Sequence, residues 1–260
     1  MAYPCDHAKP IHCNRYACDP VARDAMKHPL QQAEFVLTAA NDEQLPPPGP
    51  PEIAFAGRSN SGKSSAINTL ANRSRLAFTS KTPGRTQQIN FFRLRSGALL
   101  ADLPGYGYAA VPRELKRHWQ EFLARYLATR QSLVGLVLVV DARHGLAELD
   151  HRLLDGYLPS GRPVLILATK VDKLTRSAQR QAELSATKVI AGTYPAHAAN
   201  VSIVSFSATR RIGVESAEAT LGHWLGLDTD VEQRSHAVAI APKERAPRPR
   251  GVAGDPKRPA

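Results

Sequence analysis

The sequence predicts an α/β fold, a mainly parallel sheet with helices on both faces, and three observations carry that expectation. Short apolar runs at 53–56, 98–101, 134–140, 164–168 and 201–204, bounded by Gly, Asp or Pro, have the length and composition of buried strands. Helical stretches separate several of them, and such alternation packs into a parallel sheet. The loop after the first run, "GRSNSGKSS" at 57–65, has the glycine spacing that wraps a phosphate chain between a strand and a helix.

Taken in order, Ile53 to Ala56 is the first of these strands and Ser64 to Ala71 the helix after the loop. In 112–127, Leu115, Trp119, Phe122, Leu123, Tyr126 and Leu127 fall on one stripe, and Pro112 suits a first helical turn. Further helices are expected near 147–158, 176–190 and 214–225, and "AGTYPAHAAN" at 191–200 is expected to be a loop. The ends differ from this middle. Residues 1–25 hold Cys5, Cys13 and Cys18 with His7 and His12, but lack the paired C-x2-C of structural zinc sites; they read as a disordered leader ahead of a domain start at Met26. From Thr229 to Ala260 the chain is Pro- and Arg-rich without apolar periodicity, a flexible basic tail. One folded domain over 26–228 is the expectation. The apolar run "LVGLVLVV" is far short of the ~20 residues of a membrane helix, and no basic segment leads into an apolar one at the N-terminus, so a cytoplasmic protein is expected.

In open parallel sheets, ligands sit at the carboxyl ends of the strands, and three motifs fall there. The first fits G-x-x-x-x-G-K-S: Gly57, Arg58, Ser59, Asn60, Ser61 and Gly62 present backbone N–H groups to phosphates, Lys63 reaches the β- and γ-phosphates, and the Ser64 hydroxyl ligates Mg²⁺. The second, "DLPG", puts Asp102 at a strand end to hold Mg²⁺ through water, followed by Leu103 and Pro104, with the N–H of Gly105 placed to sense a γ-phosphate. The third reads the base. Thr169, Lys170, Val171 and Asp172 form T-K-x-D, where the acceptor-only carboxylate of Asp172 suits guanine N1–H and N2–H₂, donors that adenine lacks in that arrangement. The Lys170 stem can pack over the base, and Thr169 can brace the loop. In "SFSAT", Ser207 and Ala208 offer backbone N–H groups to guanine O6, with Phe206 beside them at the nucleotide. A P-loop metabolic kinase is the rival reading, and Asp172 argues against it.

"FAGRSNSGKSS", "SKTPGRTQQINFF", "DLPGYGYA", "TKVDKL" and "SFSA", in that order over about Gln31 to Leu227, resemble the EngB (YihA) family of bacterial GTPases, within the superfamily of TrmE-, Era- and septin-like GTPases. The resemblance implies a P-loop GTPase fold, a G domain whose mixed, mostly parallel sheet of six or seven strands is flanked by helices. It implies a GTP-binding protein acting in large ribosomal subunit assembly and needed for normal cell division. Thr86 matches the switch I threonine that joins Ser64 on Mg²⁺, with Thr82 its rival on the same loop, and Gly84, Arg85, Gln87 and Gln88 accompany it at the nucleotide. Asn60 resembles the P-loop asparagine that helps hold K⁺ in potassium-activated relatives. Lys63, Thr86, Gly105 and Asn60 are thus the residues expected to act in hydrolysis. Tyr106 stands where many GTPases carry a water-orienting glutamine, which predicts slow intrinsic turnover; a nucleotide-gated binding module without useful GTPase activity is the alternative.

The formal charge is +11. With three Lys/Arg against three Asp/Glu in 1–25 and seven against four in 229–260, residues 26–228 carry +8 of it. Arg113, Lys116, Arg117 and Gln120 lie opposite the apolar stripe of their helix, and Arg73, Arg75, Lys81 and Arg85 crowd the switch I segment. Basic residues around nucleotide-sensing loops suit rRNA phosphates on the large subunit or its precursor. A monomer is expected.

Overall fold

In the computed structural model, residues 30–77, 88–107 and 113–227 are described, with the side chains of 113–119 left aside. Seven strands form one sheet: β1 (Glu34–Ala39), β2 (Glu52–Gly57), β3 (Ile89–Arg93), β4 (Leu99–Asp102), β5 (Leu133–Asp141), β6 (Val164–Thr169) and β7 (Val201–Ser205), in the order β1-β3-β4-β2-β5-β6-β7. The β4-β2-β5-β6-β7 portion is parallel, whereas β3 runs antiparallel to both β4 and β1. The interleaved helices are α1 (Lys63–Leu70), α2 (Arg113–Thr129), α3 (Glu148–Tyr157), α4 (Arg176–Thr193) and α5 (Val214–Trp224).

The core forms two layers, one on each sheet face. Phe122, Leu123, Tyr126 and Leu127 of α2 and Leu154 and Tyr157 of α3 pack on Leu136, Leu138, Val164 and Ile166. On the other face, Ile67 and Leu70 of α1 and Val214, Ala217 and Leu221 of α5 cover Ile53, Phe55, Val137, Val139 and Leu165. Strand residues of alternating parity serve the two layers, which is why the central runs read as continuously apolar. Gly135 in β5 is required by this packing: a Cβ there would lie 2.3 Å from Cε3 of Trp224. Gly135→Ala is expected to cost about 1–3 kcal/mol through overpacking, read as a lower denaturation midpoint in urea; an unchanged midpoint would show that Trp224 swings aside freely.

Two parts of the chain depart from the expectation. Strands β1 and β3 were not among the predicted apolar runs, because β1 is a half-exposed edge strand and β3 a short segment with polar Asn90 and Arg93. Residues 191–200 are not one loop. Helix α4, capped by the Thr175 hydroxyl accepting from Ala178 N, continues to Thr193, and Ala198–Asn200 form a 3-10 turn. Tyr194 holds this stretch down, stacking on His151 of α3 with ring centroids 5.9 Å apart.

At the end of the sheet away from the strand carboxyl termini, Glu52 is fully buried. Its carboxylate receives the Tyr126 hydroxyl at 3.0 Å and the Arg130 Nε at 3.0 Å, while Arg130 Nη2 also reaches the Pro46 carbonyl at 2.7 Å. This fully partnered ion pair ties β2 to the C-terminal end of α2.

Candidate nucleotide site

The carboxyl ends of β2, β4, β5, β6 and β7 converge on one loop cluster, and the sheet register decides which residues meet there. β2 runs into the Gly57–Ser64 loop. A Cβ on Gly57 would stand 2.6 Å from the Val139 carbonyl oxygen, so only glycine lets the loop leave the sheet this way. The Ser61 N–H donates to the Arg58 carbonyl at 3.0 Å, Asn60 adopts a left-handed φ of 67°, and Gly62 at φ 98° opens α1. No side chain caps that helix, so its first-turn N–H groups face the loop interior, as an anion requires.

Asp102 pairs in register with Phe55 across β2 and β4. This brings its buried carboxylate to Lys63, whose Nζ forms an ion pair with Oδ1. Beyond Asp102 the pairing continues as a zipper onto the phosphate loop: Leu103 N donates to the Phe55 carbonyl at 2.9 Å, and Tyr106 N to that of Gly57 at 3.3 Å. Ser59 N donates in turn to the Tyr106 carbonyl at 2.9 Å. Gly105 therefore lies against Ser59, and a Cβ on it would sit 3.1 Å from Ser59 Oγ.

The base-reading loop is braced from three sides. The Thr169 hydroxyl donates to the Ser61 carbonyl, with the Val140 carbonyl a second acceptor at 3.1 Å. Lys170, at φ 60°, extends its Nζ to the Asn60 carbonyl at 2.6 Å and to Asp141 Oδ2 at 3.0 Å. Val171 N donates to the Phe206 carbonyl at 3.3 Å, joining this loop to the one after β7. Asp172 Oδ1 accepts the Ser207 hydroxyl at 2.7 Å, and Lys173 lies 3.5 Å away.

Ser207 plays a different part from the one expected of it. Its N–H is donated to the Ile212 carbonyl at 3.0 Å, and that of Phe206 to Ala168 at 2.8 Å, so neither is directed at a base oxygen. A short antiparallel bridge between Ser207 and Ile212 consumes the donor; the Ser207 hydroxyl instead holds Asp172. That hydrogen bond, with Lys173 adding to it, keeps the Asp172 carboxyl below the usual carboxylate range, against a smaller opposing effect of burial. Because the ionised carboxylate is the form that accepts two donors, binding through Asp172 should persist as pH falls through that range. Ser207→Ala lets the pKa rise, so acid loss of GDP affinity should begin at higher pH in the variant. Titrations between about pH 4 and pH 7 check this, and superimposable profiles would count against it.

The Tyr106 side chain reaches α3. Its hydroxyl donates to Asp150 Oδ1 at 2.6 Å; the other Asp150 oxygen accepts Ala147 N at 2.8 Å and lies 3.9 Å from Arg58 Nε. Burial, reinforced by the Asp150 charge, raises the phenol far above its ordinary pKa. Asp141 and Asp150 are the two carboxylates that sequence reading did not single out. Each had a signal: Asp141 ends a strand as Asp102 does, and Asp150 stands at the third position of a helix, where an acid caps the N-terminus.

Of the other expected residues, Gln88, Arg73, Arg75 and Gln120 are exposed. Lys81, Thr82, Gly84, Arg85, Thr86 and Gln87 lie outside the described residues, as do residues 1–29, 228–260 and the side chains of Arg113, Lys116 and Arg117. Among the described residues no cluster of three His, Cys, Asp or Glu could hold a metal, and no helix is long and apolar enough to cross a membrane. A hydroxyl and a single carboxylate, Ser64 and Asp102, nevertheless suit Mg²⁺, which keeps much of its water and takes phosphate oxygens as ligands.

A mostly parallel sheet with a glycine-rich phosphate loop after its central strand and a T-K-x-D loop two strands away is the fold of a P-loop GTPase. The family model described as 50S ribosome-binding GTPase matches residues 52–170. The "Probable GTP-binding protein EngB" of Aromatoleum aromaticum is 51% identical over 201 residues, 77% of this chain and 91% of that one. The protein of the same name from Laribacter hongkongensis is 49% identical over 223 residues, 85% and 97% of the two chains. Among solved structures, a probable GTP-binding protein engB superposes with a TM-score of 0.54 at 21% identity, covering 67% of this chain and 98% of its own. Era of Aquifex aeolicus bound to GDP·AlF4⁻ does so at 0.52 and 19% identity, covering 66% and 56%; both show the shared fold. The chain belongs to the EngB family of GTP-binding proteins.

Proposed function

We propose that this protein binds GTP and GDP in the loop cluster described above and works as a slow, GTP-hydrolysing switch on the large ribosomal subunit or its precursor, in the cytoplasm and as a monomer, in a role needed for normal cell division. The observation that carries the nucleotide reading is the Asp172 carboxylate. It accepts the Ser207 hydroxyl in a loop that Lys170 and Thr169 tie to the phosphate loop, which supports base and phosphate contacts made together. In this reading Gly57 to Gly62 cradle the phosphates, Lys63 neutralises the β- and γ-oxygens, Ser64 and Asp102 hold Mg²⁺, Gly105 senses the γ-phosphate, and Thr86 closes over the metal. Gly84, Arg85, Gln87 and Gln88 line the same segment, Leu103, Pro104 and Val171 shape the loops, and Ala208 N–H faces guanine O6. Mg²⁺ would supply charge neutralisation at the transferring phosphoryl group.

Slow turnover is supported by Tyr106. A phenol that is protonated and bonded to Asp150 neither orients nor deprotonates a water at the phosphate. The potassium role of Asn60 is supported by its exposure, which leaves its side-chain oxygen accessible to a K⁺. GTP hydrolysis should therefore run faster in KCl than in NaCl at equal ionic strength, and equal rates would sink the potassium role. The ribosomal role is supported by family membership and by exposed Arg73 and Arg75 beside the phosphate loop's helix. Co-sedimentation with large-subunit particles should be strongest with a GTP analogue and weaken with added salt. Binding indifferent to both would overturn it, and a lack of stimulated turnover on particles would leave a gated binding module.

A further inference from the structure

We infer that Asp141 is a positioning residue for nucleotide recognition: it anchors Lys170 so that the lysine stem forms a fixed wall for the base. This rests on the reading of the site as a guanine nucleotide site. Asp141 is the last residue of β5 and stands in register with Thr169, the last residue of β6. Only 4% of it is exposed. Its Oδ1 accepts Arg143 N at 3.1 Å and Nε at 2.9 Å; its Oδ2 accepts Arg143 Nη2 at 2.7 Å and Lys170 Nζ at 3.0 Å. Two cations thus compensate one buried carboxylate. Burial alone would raise the Asp141 pKa, but the Arg143 and Lys170 hydrogen bonds outweigh it and hold the carboxyl well below the usual range.

The consequence falls on Lys170. A free lysine side chain samples many rotamers, and the backbone of Lys170 does not by itself direct the ammonium. Here the ammonium is held by two acceptors at once, Asp141 Oδ2 and the Asn60 carbonyl. Pinned by its ammonium, the stem runs from the loop after β6 to the phosphate loop, two residues before Asp172 in the chain. Ordering the stem before the base arrives lowers the cost of binding. Asp141 touches no part of a nucleotide in this scheme, and Arg143 closes the remaining lone pairs of the carboxylate.

The test is titration of GDP, IDP and ADP into wild type, Asp141→Asn, Lys170→Met and the double variant, with thermal midpoints measured without nucleotide. IDP lacks the 2-amino group, so the GDP-to-IDP ratio reports Asp172, whereas a stacking wall serves both bases equally. We expect Asp141→Asn to weaken GDP and IDP alike, about tenfold, with their ratio unchanged, and the double variant to bind no more weakly than Lys170→Met alone. GDP affinity within twofold of wild type overturns the inference. So does a collapsed GDP-to-IDP ratio, which would place the effect on Asp172, or multiplicative losses in the double variant. Should Asp141→Asn fail to fold, Asp141→Glu, which keeps the charge but displaces it by a methylene, carries the same thresholds. A wild type without preference for GDP over ADP overturns the guanine reading itself, a separate outcome of the same titration.

Discussion

Replacing Asp172 with asparagine is expected to abolish the preference for guanine and create one for xanthine. In the proposed guanine site the carboxylate would accept from N1–H and N2–H₂, both charge-assisted, and an asparagine can satisfy only the first while turning an N–H toward the exocyclic amine. The loss should be about 3 kcal/mol, or ~100-fold in the Kd for GDP. Xanthine carries a carbonyl at position 2, which the asparagine amide can donate to, so XDP should become the better ligand. The fold should survive, since the Ser207 hydroxyl can donate to the asparagine carbonyl oxygen as it does to the carboxylate. Competition of GDP and XDP for the variant measures this directly; retention of the guanine preference would remove Asp172 from the base site.

Lys63→Met should have an effect as large at the other end of the nucleotide. Methionine keeps the length and apolar stem but removes the ammonium, so contacts to two phosphate groups are lost at about 1.5–3 kcal/mol each. GDP and GTP affinities should fall by ~100-fold or more. Lys63 is also the partner of Asp102, and the two roles separate cleanly. A purely structural lysine would lower thermal stability while leaving the Kd for GDP within about fivefold. A phosphate-binding one changes the Kd in fluorescence titrations with excess Mg²⁺, whatever happens to the midpoint.

The site was more legible in the sequence than the sheet was. The phosphate loop, D-x-x-G and T-K-x-D are contiguous, and each sits directly after a run apolar enough to be a central strand, so motif and scaffold could be read together. Strands β1 and β3 are harder to read: β1 is a half-exposed edge strand whose apolar run, Phe35 to Leu37, is short, and β3 carries polar Asn90 and Arg93. The 191–200 segment looked like a loop because Gly192 and Pro195 stand in it, yet Tyr194 packing on His151 keeps it attached to α3. The Ser207 N–H, expected to face a base oxygen, is already bonded, and its hydroxyl holds Asp172 instead. The N–H is taken by Ile212, five residues on, through a bridge that no local pattern announces.

By its own pattern the sequence determined the chemistry that could be present: an anion cradle at Gly57 to Ser64, a carboxylate at 102 and another at 172, and a tyrosine where a glutamine is common. Spacing and residue type suffice for that, because each motif closes its geometry within a few bonds of itself. Only the tertiary structure decided which of these groups are free to act and which are spoken for. Tyr106 is turned to Asp150, the Lys170 ammonium is shared by Asp141 and the Asn60 carbonyl, and the Ser207 hydroxyl holds Asp172. Those partners lie 44 residues apart for Tyr106 and Asp150, 110 for Lys170 and Asn60, 35 for Ser207 and Asp172, and 29, from 141 to 170, for Lys170 and Asp141. Strand register, set by burial on both faces of the sheet, is what brings them within hydrogen-bond reach.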